Sequence, residues 1–134
     1  MKSVFDKNFS SMILSASGWR MVFAASGDEE DASPELTEEK AALVVLAAKA
    51  FAQYIQSIKG KEAQIVVGTD TRPTGPAIAD CMIRAFSAMN VKVRFVGISA
   101  APEIMSYAKS ADAFAYISAS HNPIGHNGIK FGLS

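Results

Sequence analysis

The stretch "DAFAYISASHNPIGHNGIKFGL", residues 112–133, joins one apolar run to another through a polar loop. The first run, from Asp112 to Ser118, is continuous in the manner of a buried strand, and "IKFGL" at the end predicts a last strand. Residues 117–130, which include the polar segment between the runs, contain two serines, two histidines, two asparagines, two glycines and one proline. Because ligands of open α/β sheets sit beyond the carboxyl ends of strands, this loop is placed where a functional site belongs.

A long helix is predicted upstream of that stretch. Thr37 has the character of an N-cap, Glu38 and Glu39 place carboxylates on the positive end of the helix, and Gly60 supplies a stop. The three-and-four spacing predicts one buried face, formed by Leu43, Leu46, Ala47, Ala50, Phe51, Tyr54 and Ile58. Further apolar residues widen the arc, so we expect this helix to be covered on more than one side; they are Val44, Val45, Ala48 and Ile55.

Two more strand and helix units follow the long helix. The segment Ala63–Asp70 predicts a buried strand, and Val91–Ile98 predicts a strand near a sheet edge. Pro76 and Pro102 each suit the first turn of a helix. The first of these helices has an apolar face formed by Ile78, Met82, Ala85, Phe86 and Met89, and the short second one carries Ile104, Met105 and Ala108.

The order of elements decides the fold class. Residues 12–24 predict a strand or a strand pair interrupted at Ser17-Gly18, so the full order reads β, α, β, α, β, α, β, β. This order predicts a three-layer α/β/α sandwich with a mixed, mostly parallel sheet. A length of 134 residues fits one domain.

Composition limits the partners and the compartment. Thirteen basic residues balance thirteen acidic ones, so no overall field favours nucleic acid or an anionic membrane, and we expect neither as a partner. The longest apolar stretch, Ala41–Ala52, is short for a bilayer and is interrupted by Lys49. Cys81 is the single cysteine, and the amino terminus lacks a secretory pattern, so we expect a cytoplasmic protein.

Several kinds of chemistry compete for the polar loop. Ser120-His121 suggests a hydrolase dyad, but neighbouring side chains diverge in an extended chain and the G-x-S-x-G pattern is absent. The two histidines are a weak zinc signal, and the acidic run Asp28–Asp31 is typical of a solvated surface. A plain structural turn, with Asn127-Gly128 as a hairpin, also fits the composition.

Phosphate chemistry is the remaining candidate. A serine hydroxyl on a rigid loop can carry a phosphoryl group, and nearby cations can neutralise the charge as the group moves. The sequence offers Lys130, Arg20 and Arg72 for that purpose.

Four segments together resemble the first domain of the α-D-phosphohexomutases, the phosphoglucomutase and phosphomannomutase superfamily. "SASHNPIGHNGIK" (Ser118–Lys130) resembles the phosphoserine loop, with S-H-N-P followed by N-G-x-K. "SASGWR" (Ser15–Arg20) is similar to an amino-terminal G-T-S-G-x-R segment, and "VVGTDTRPTG" (Val66–Gly75) to a V-G-x-D-x-R segment. "SAAPE" (Ser99–Glu103) resembles an S-T-P segment more loosely.

The resemblance implies a role for each matched residue. Ser120 would carry the phosphoryl group, Lys130 would help proton transfer at the attacking hydroxyl, and Arg20 would stabilise charge beside the phosphoserine. The loop and its phosphate would be supported by His121, Asn122 and Arg72.

The resemblance also implies a reaction and its cofactors. Phosphate would migrate between the 1 and 6 positions of a hexose through a hexose 1,6-bisphosphate, with Mg²⁺ held by the phosphate on Ser120. The substrate would be a phosphosugar, and the other partners would be the remaining domains of the same enzyme. The chain departs from the family at Ser15 and Ala16, where Gly and Thr are usual, and it contains no D-x-D-x-D magnesium loop. We therefore expect residues 1–134 to be a first domain, inactive alone, or else a non-catalytic binding or regulatory module that keeps the fold.

Overall fold

The computed structural model describes the backbone of residues 13–15 and 18–133 and the side chains of residues 19–133. Six strands and three helices occur in this part of the chain: β1 (Ile13–Ser15), β2 (Gly18–Val22), α1 (Glu38–Lys59), β3 (Gln64–Thr69), α2 (Gly75–Ala88), β4 (Lys92–Ile98), α3 (Ala101–Ala108), β5 (Ala113–Ile117) and β6 (His126–Leu133). The strands form one sheet in the order β1-β2-β6-β5-β3-β4.

The sheet is mixed, as predicted, but it is not mostly parallel. Two pairs are parallel, β3 with β4 and β3 with β5, whereas β5 with β6, β6 with β2, and β2 with β1 are antiparallel. The reason lies in residues 118–125, which connect β5 to β6 without a helix. A parallel crossover needs a longer connection, so β6 returns antiparallel and begins the antiparallel half of the sheet.

Helices cover the sheet on both faces, which confirms the three-layer α/β/α class. On one face, Ile65 and Val67 of β3 pack into the main core with residues of α1 and α2. On the other face, Val66 and Tyr116 pack with Ile104 of α3. The alternation between Ile65, Val66 and Val67 follows from the two-residue period of a strand.

Both ends of α1 are where the sequence predicts them, but its buried face is different. Thr37 Oγ1 accepts a hydrogen bond from the Lys40 amide at 3.2 Å, and Gly60 ends the helix with a φ of 96°. The buried apolar residues are Leu43, Val44, Ala47, Ala48, Ala52 and Ile55. Leu46, Tyr54 and Ile58, which were predicted to be buried, are about half exposed. Two neighbouring stripes of α1 are apolar, so periodicity alone could not choose the one that faces the sheet.

The helix α1 has 22 residues and is therefore longer than the apolar stretch Ala41–Ala52 that it contains. Over its most apolar 18 residues the mean hydropathy is 1.4, so by length and composition alone α1 could cross a membrane. Core helices of soluble proteins pass the same test, and Val44, Ala48 and Ile55 of α1 are fully buried in the main core.

The remaining elements follow the sequence with one correction. The strand β4 lies at the edge of the sheet, and α2 buries Ile78, Met82 and Phe86 as predicted. The last strand begins at His126, so Asn127-Gly128 lies inside β6 and is not a hairpin turn. Asn127 and Gly128 pair with Met21 and Arg20 of β2, which is why they belong to the sheet.

Candidate active site

The polar loop, residues 118–125, lies where β5 ends and beside the end of β3. The amide of Asp70, directly after β3, donates a 3.0 Å hydrogen bond to the carbonyl of Ile117, the last residue of β5. The two strand ends border a depression of about 250 Å³, lined by Asp70, Thr71, Arg72, Ser120, Asn122 and Ile124. The loop therefore occupies the carboxyl edge of the parallel strands, the place where such sheets bind ligands.

Arg72 holds the polar loop from the β3 side. Its Nη1 donates to the carbonyls of Pro123 (2.5 Å) and His126 (3.0 Å), and its Nη2 donates to those of Ser120 (2.9 Å) and Asn122 (2.6 Å). Its Nε lies 3.5 Å from Asp70 Oδ2, and the side chain is only 10% exposed. Each guanidinium nitrogen thus has an acceptor inside this domain. Arg72 supports the loop backbone, and this arrangement leaves no nitrogen for a phosphate.

Ser120 projects its hydroxyl from this clamped backbone. It is exposed and has a φ of 56°, a conformation that few residues other than glycine adopt. Its amide donates to Ser118 Oγ at 3.1 Å, and its carbonyl accepts from Arg72. Contacts on both sides therefore maintain the uncommon backbone geometry.

Lys130 reaches the Ser120 hydroxyl from β6. Its Nζ donates a hydrogen bond to Ser120 Oγ at 3.2 Å. Within the described part of the chain this is the contact made by the Ser120 hydroxyl, and His121, the adjacent histidine, is exposed and makes no side-chain hydrogen bond there. The pairing of a serine with a neighbouring histidine, which a hydrolase would need, is therefore not formed.

Arg20 lies on the same face of the sheet as Lys130. It stands directly opposite Gly128 in the antiparallel pair of β2 with β6, and Lys130 is two residues further along β6. A Cβ added to Gly128 would come within 2.6 Å of the Trp19 carbonyl and would also collide with the Arg20 side chain. A glycine is therefore needed at position 128 because Arg20 lies across it.

Asn122 stabilises the turn of the loop itself. Its amide and its side-chain Nδ2 both donate to the carbonyl of Ala119, at 3.1 and 2.9 Å. The structure thus gathers Ser120, Lys130, Arg72 and Asn122 around one loop, with His121 exposed on it. The catalytic and binding roles given to these residues stay predictions.

A buried polar pair near the loop was not anticipated from the sequence. Asn127 is completely buried, and its Nδ2 donates to Thr74 Oγ1 at 3.0 Å, although 53 residues separate them. Contacts so distant in sequence have no local signal.

Tyr116, on β5, is a second buried polar residue, and its hydroxyl donates to the Ser99 carbonyl at 2.7 Å. Burial raises the pKa of Tyr116 above its usual value, and the charges of Asp70 and Glu103 act in the same direction.

The acidic segment after β2 lies against the far end of the loop. The Gly125 amide donates to the Glu29 carbonyl at 2.7 Å, and the Gly125 carbonyl accepts from the amides of Phe23 and Ala24. Hydrogen bonds from Ser26 and Ser33 lower the pKa of Asp31 to about 2. The described residues contain no group of three or more His, Cys, Asp or Glu side chains that could hold a metal ion.

The fold and the site define an α/β/α domain in which a loop held by Arg72 presents a serine hydroxyl beside a lysine of β6. The family described as phosphoglucomutase/phosphomannomutase, alpha/beta/alpha domain I, matches residues 16–134. The chain belongs to this family, within the α-D-phosphohexomutase superfamily.

Three relatives illustrate the similarity. A probable phosphoglucosamine mutase of Methanosphaera stadtmanae is 38% identical over 112 residues, which is 81% of this chain and 23% of the relative. The phosphoglucosamine mutase of Pelobacter propionicus is 40% identical over 62% of this chain and 19% of its own length. That of Clostridium kluyveri is 34% identical over 82% of this chain and 24% of its own length. The chain thus spans about a fifth to a quarter of the length of these relatives.

Proposed function

We propose that this chain is the phosphoserine-carrying first domain of a phosphosugar mutase, which moves phosphate between the 1 and 6 positions of a hexose. The observation that carries the proposal is the hydrogen bond from Lys130 Nζ to the exposed Ser120 hydroxyl. The Lys130 amine, which we propose relays a proton, lies 3.2 Å from the atom that would gain and lose the phosphoryl group. Membership of the phosphohexomutase family supports the same chemistry.

In the proposed step the phosphoryl group leaves Ser120 for a sugar hydroxyl. The sugar oxygen forms a bond to phosphorus, and the bond between phosphorus and Ser120 Oγ breaks. The proton lost by the sugar hydroxyl must reach Oγ, and Lys130 stands 3.2 Å from Oγ, within relay distance. The bisphosphate so formed returns its other phosphoryl group to Ser120 by the reverse step, so the enzyme ends as it began.

Positioning is the main contribution of the loop. Phosphoryl transfer depends chiefly on alignment and charge stabilisation, because the phosphoryl group passes through a loose transition state. Arg72 fixes the loop through four carbonyls, and Arg20 supplies positive charge on the face that carries Lys130. We assign Arg72 to the support of Ser120 and Arg20 to the stabilisation of phosphate charge, with His121 as a further contact for phosphate.

We include Mg²⁺ in the proposal as a ligand of the phosphate on Ser120. The described residues of this chain do not form a metal site by themselves, so its remaining ligands would come from elsewhere in the protein. A bound cation would neutralise charge on the transferring group. The roles of Ser120, Lys130 and Arg72 given above do not depend on it.

The proposed substrate is a hexosamine phosphate, which is a narrower choice than hexose. The relatives with the best coverage are phosphoglucosamine mutases by name. We further propose that the other partners are the remaining domains of such an enzyme, that the isolated domain is inactive, and that the protein is cytoplasmic, without nucleic-acid or membrane partners.

The test uses a fusion in which this chain replaces the first domain of the Clostridium kluyveri relative. After incubation with glucosamine 1,6-bisphosphate or glucose 1,6-bisphosphate, trypsin would release the peptide Ser110–Lys130, which holds three serines. We expect fragmentation to place the phosphate on Ser120. The Ser120→Ala variant should take up none, whereas Ser106→Ala, which changes an exposed serine of α3, should behave as the parent does.

Two results would contradict the proposal. Phosphate on Ser110 or Ser118, or none at all in a folded fusion, would remove Ser120 as the carrier. Absence of both phosphorylation and turnover would favour the alternative of a non-catalytic module that keeps the fold.

A further inference from the structure

The buried pair Asn127 and Thr74 adds a second side-chain link between two parts of the site that Arg72 also joins through the His126 carbonyl. The Asn127 side chain is 0% exposed and Thr74 is 1% exposed. Their hydrogen bond, at 3.0 Å, joins β6 to the segment between β3 and α2. A buried amide without a partner would be costly, so Thr74 and Asn127 constrain one another.

The Thr74 hydroxyl makes this contact and does not cap helix α2. It is the N-cap residue of α2, but its side chain does not accept a hydrogen bond from the helix. A threonine at this position usually stabilises a helix by about 1 kcal/mol through such a bond. Here the Thr74 hydroxyl accepts a hydrogen bond from Asn127 instead. This bond links the start of α2 to β6, and α2 lacks the usual side-chain hydrogen bond at its N-cap.

Together with the bonds of Arg72 and Lys130, this contact completes a closed circuit of contacts that includes the Ser120 hydroxyl. Thr74 follows Arg72 by two residues, in a turn closed by the 3.0 Å bond from the Gly75 amide to the Arg72 carbonyl. Arg72 in turn holds the carbonyls of Ser120 and of His126, the residue before Asn127. From Asn127, β6 leads in three residues to Lys130, whose Nζ returns to Ser120 Oγ.

We infer that Asn127 and Thr74 are positioning residues, which keep the lysine strand and the serine loop in one register. Neither residue touches the Ser120 hydroxyl. Without their bond the segment would depend on the long Arg72 side chain for its link to β6, so it would shift more freely relative to β6 and the distance between Lys130 Nζ and Ser120 Oγ would then vary. A shift of about 1 Å at a reacting group can slow a reaction about a hundredfold. This inference rests on the proposed function for its catalytic consequence but not for its mechanical one.

The mechanical consequence is tested first, in the 134-residue chain. Thr74→Val keeps the shape and removes the hydroxyl, whereas Thr74→Ser keeps the hydroxyl and serves as the matched control. Hydrogen exchange of the amides of Asn122, Gly125 and His126, which are bonded within or beside the loop, reports its order. We expect about tenfold faster exchange there in Thr74→Val, unchanged exchange in β4, and parental exchange in Thr74→Ser.

The catalytic consequence is tested in the fusion described above. Thr74→Val should lower kcat at least about tenfold with KM within about twofold, and Thr74→Ser should restore most of kcat. Parental loop exchange in Thr74→Val, or exchange that rises equally across the whole sheet, would overturn the inference, the second because it marks a general loss of stability. Normal kcat despite a loosened loop would overturn it as well. If the parent fusion has no mutase activity, the proposed function fails, and the exchange result still decides whether the pair orders the loop.

Discussion

Lys130 Nζ donates a hydrogen bond to Ser120 Oγ across 3.2 Å, from a strand to the loop that precedes it. The two residues are ten apart in sequence, and the contact exists because the loop folds back over the start of β6. Arg72 maintains that return by binding the carbonyls of Ser120 and Pro123. The relative placement of the Ser120 hydroxyl and the Lys130 amine thus depends on an arginine that hydrogen-bonds to neither group.

Replacement of Lys130 by methionine tests its role at the hydroxyl. Lys130→Met keeps the length of the side chain and removes the donor, so the domain should fold normally. We expect phosphorylation of Ser120 in the fusion to slow about 10²-fold to 10⁴-fold, the range for loss of a proton-transfer group. Time courses from rapid quench and mass spectrometry would measure the rate of phosphorylation. The control is Lys109→Met, which makes the same substitution at an exposed lysine. An unchanged rate would assign Lys130 to the solvated surface.

Replacement of Arg72 by lysine tests the clamp on the loop. A lysine keeps the charge but cannot reach four carbonyls at once, so acceptors, three of them part-buried, lose their donors. We expect Arg72→Lys to lower the free energy of unfolding by about 2–4 kcal/mol, measured by urea denaturation of the 134-residue chain. The matched control is Arg84→Lys, whose side chain is 79% exposed and which should change stability by less than about 0.5 kcal/mol. Equal effects of the two substitutions would mean that the clamp contributes nothing to stability.

Much of the fold could be predicted because its signals are local. Thr37 and Gly60 mark the ends of α1, and the apolar run ending at Ile117 marks a buried strand. The direction of β6 could not be predicted as easily, since it depends on whether the loop before it crosses over the sheet. The buried face of α1 was also ambiguous, because Leu46 and Ile58, which are about half exposed, are as apolar as the residues that do face the core.

Some features of the site could likewise be predicted from the sequence, and others could not. Motif resemblance identified Ser120 and Lys130, and the structure brings them into contact. The four bonds of Arg72 and the pair of Asn127 with Thr74 link segments about 50 residues apart. Such contacts follow from the packing of strands and loops in space, so no spacing in the sequence could reveal them.

Substitution of Gly128 by alanine tests the close approach of β2 and β6 beside the site. The new Cβ would meet the carbonyl of Trp19 at 2.6 Å and that of Ser118 at 3.0 Å. Backbone atoms cannot move aside like the end of a side chain, so we expect a loss of about 1–3 kcal/mol in stability. Gly27→Ala, where a Cβ meets nothing within 4 Å but a φ of 79° strains an alanine, is the control for a loss of stability without a collision beside β6.

The two glycine variants should also differ in their effect on the loop. The Ser118 amide donates to the Gly128 carbonyl at 2.9 Å, so displacement of β6 reaches the start of the loop. Hydrogen exchange of residues 118–122 should therefore increase in Gly128→Ala and stay parental in Gly27→Ala. Parental exchange of residues 118–122 in Gly128→Ala, with little change in its stability, would show that the sheet accommodates the added methyl group.

The pH dependence of stability provides a test of the buried tyrosine beside the site. Burial raises the pKa of Tyr116 above 10.0, the value in the unfolded chain, and the charges of Asp70 and Glu103 act in the same direction. Between the unfolded and the folded pKa, the native state keeps a proton that the unfolded state has released. The contribution of Tyr116 is therefore fully present below pH 10.0 and is lost as the pH rises through its folded pKa.

Tyr116→Phe should separate this contribution from that of the other tyrosines. Absorbance at about 295 nm should show a tyrosine ionisation at raised pH in the parent that is absent from the variant. Below pH 10 we expect the variant to be less stable by about 1 kcal/mol, because the Ser99 carbonyl loses its donor. Above pH 10 the stability of the parent should fall more steeply than that of Tyr116→Phe, so the two denaturation curves should converge. Parallel curves up to the alkaline transition would mean that Tyr116 ionises alike in both states, and its burial would then carry no pH-dependent stability.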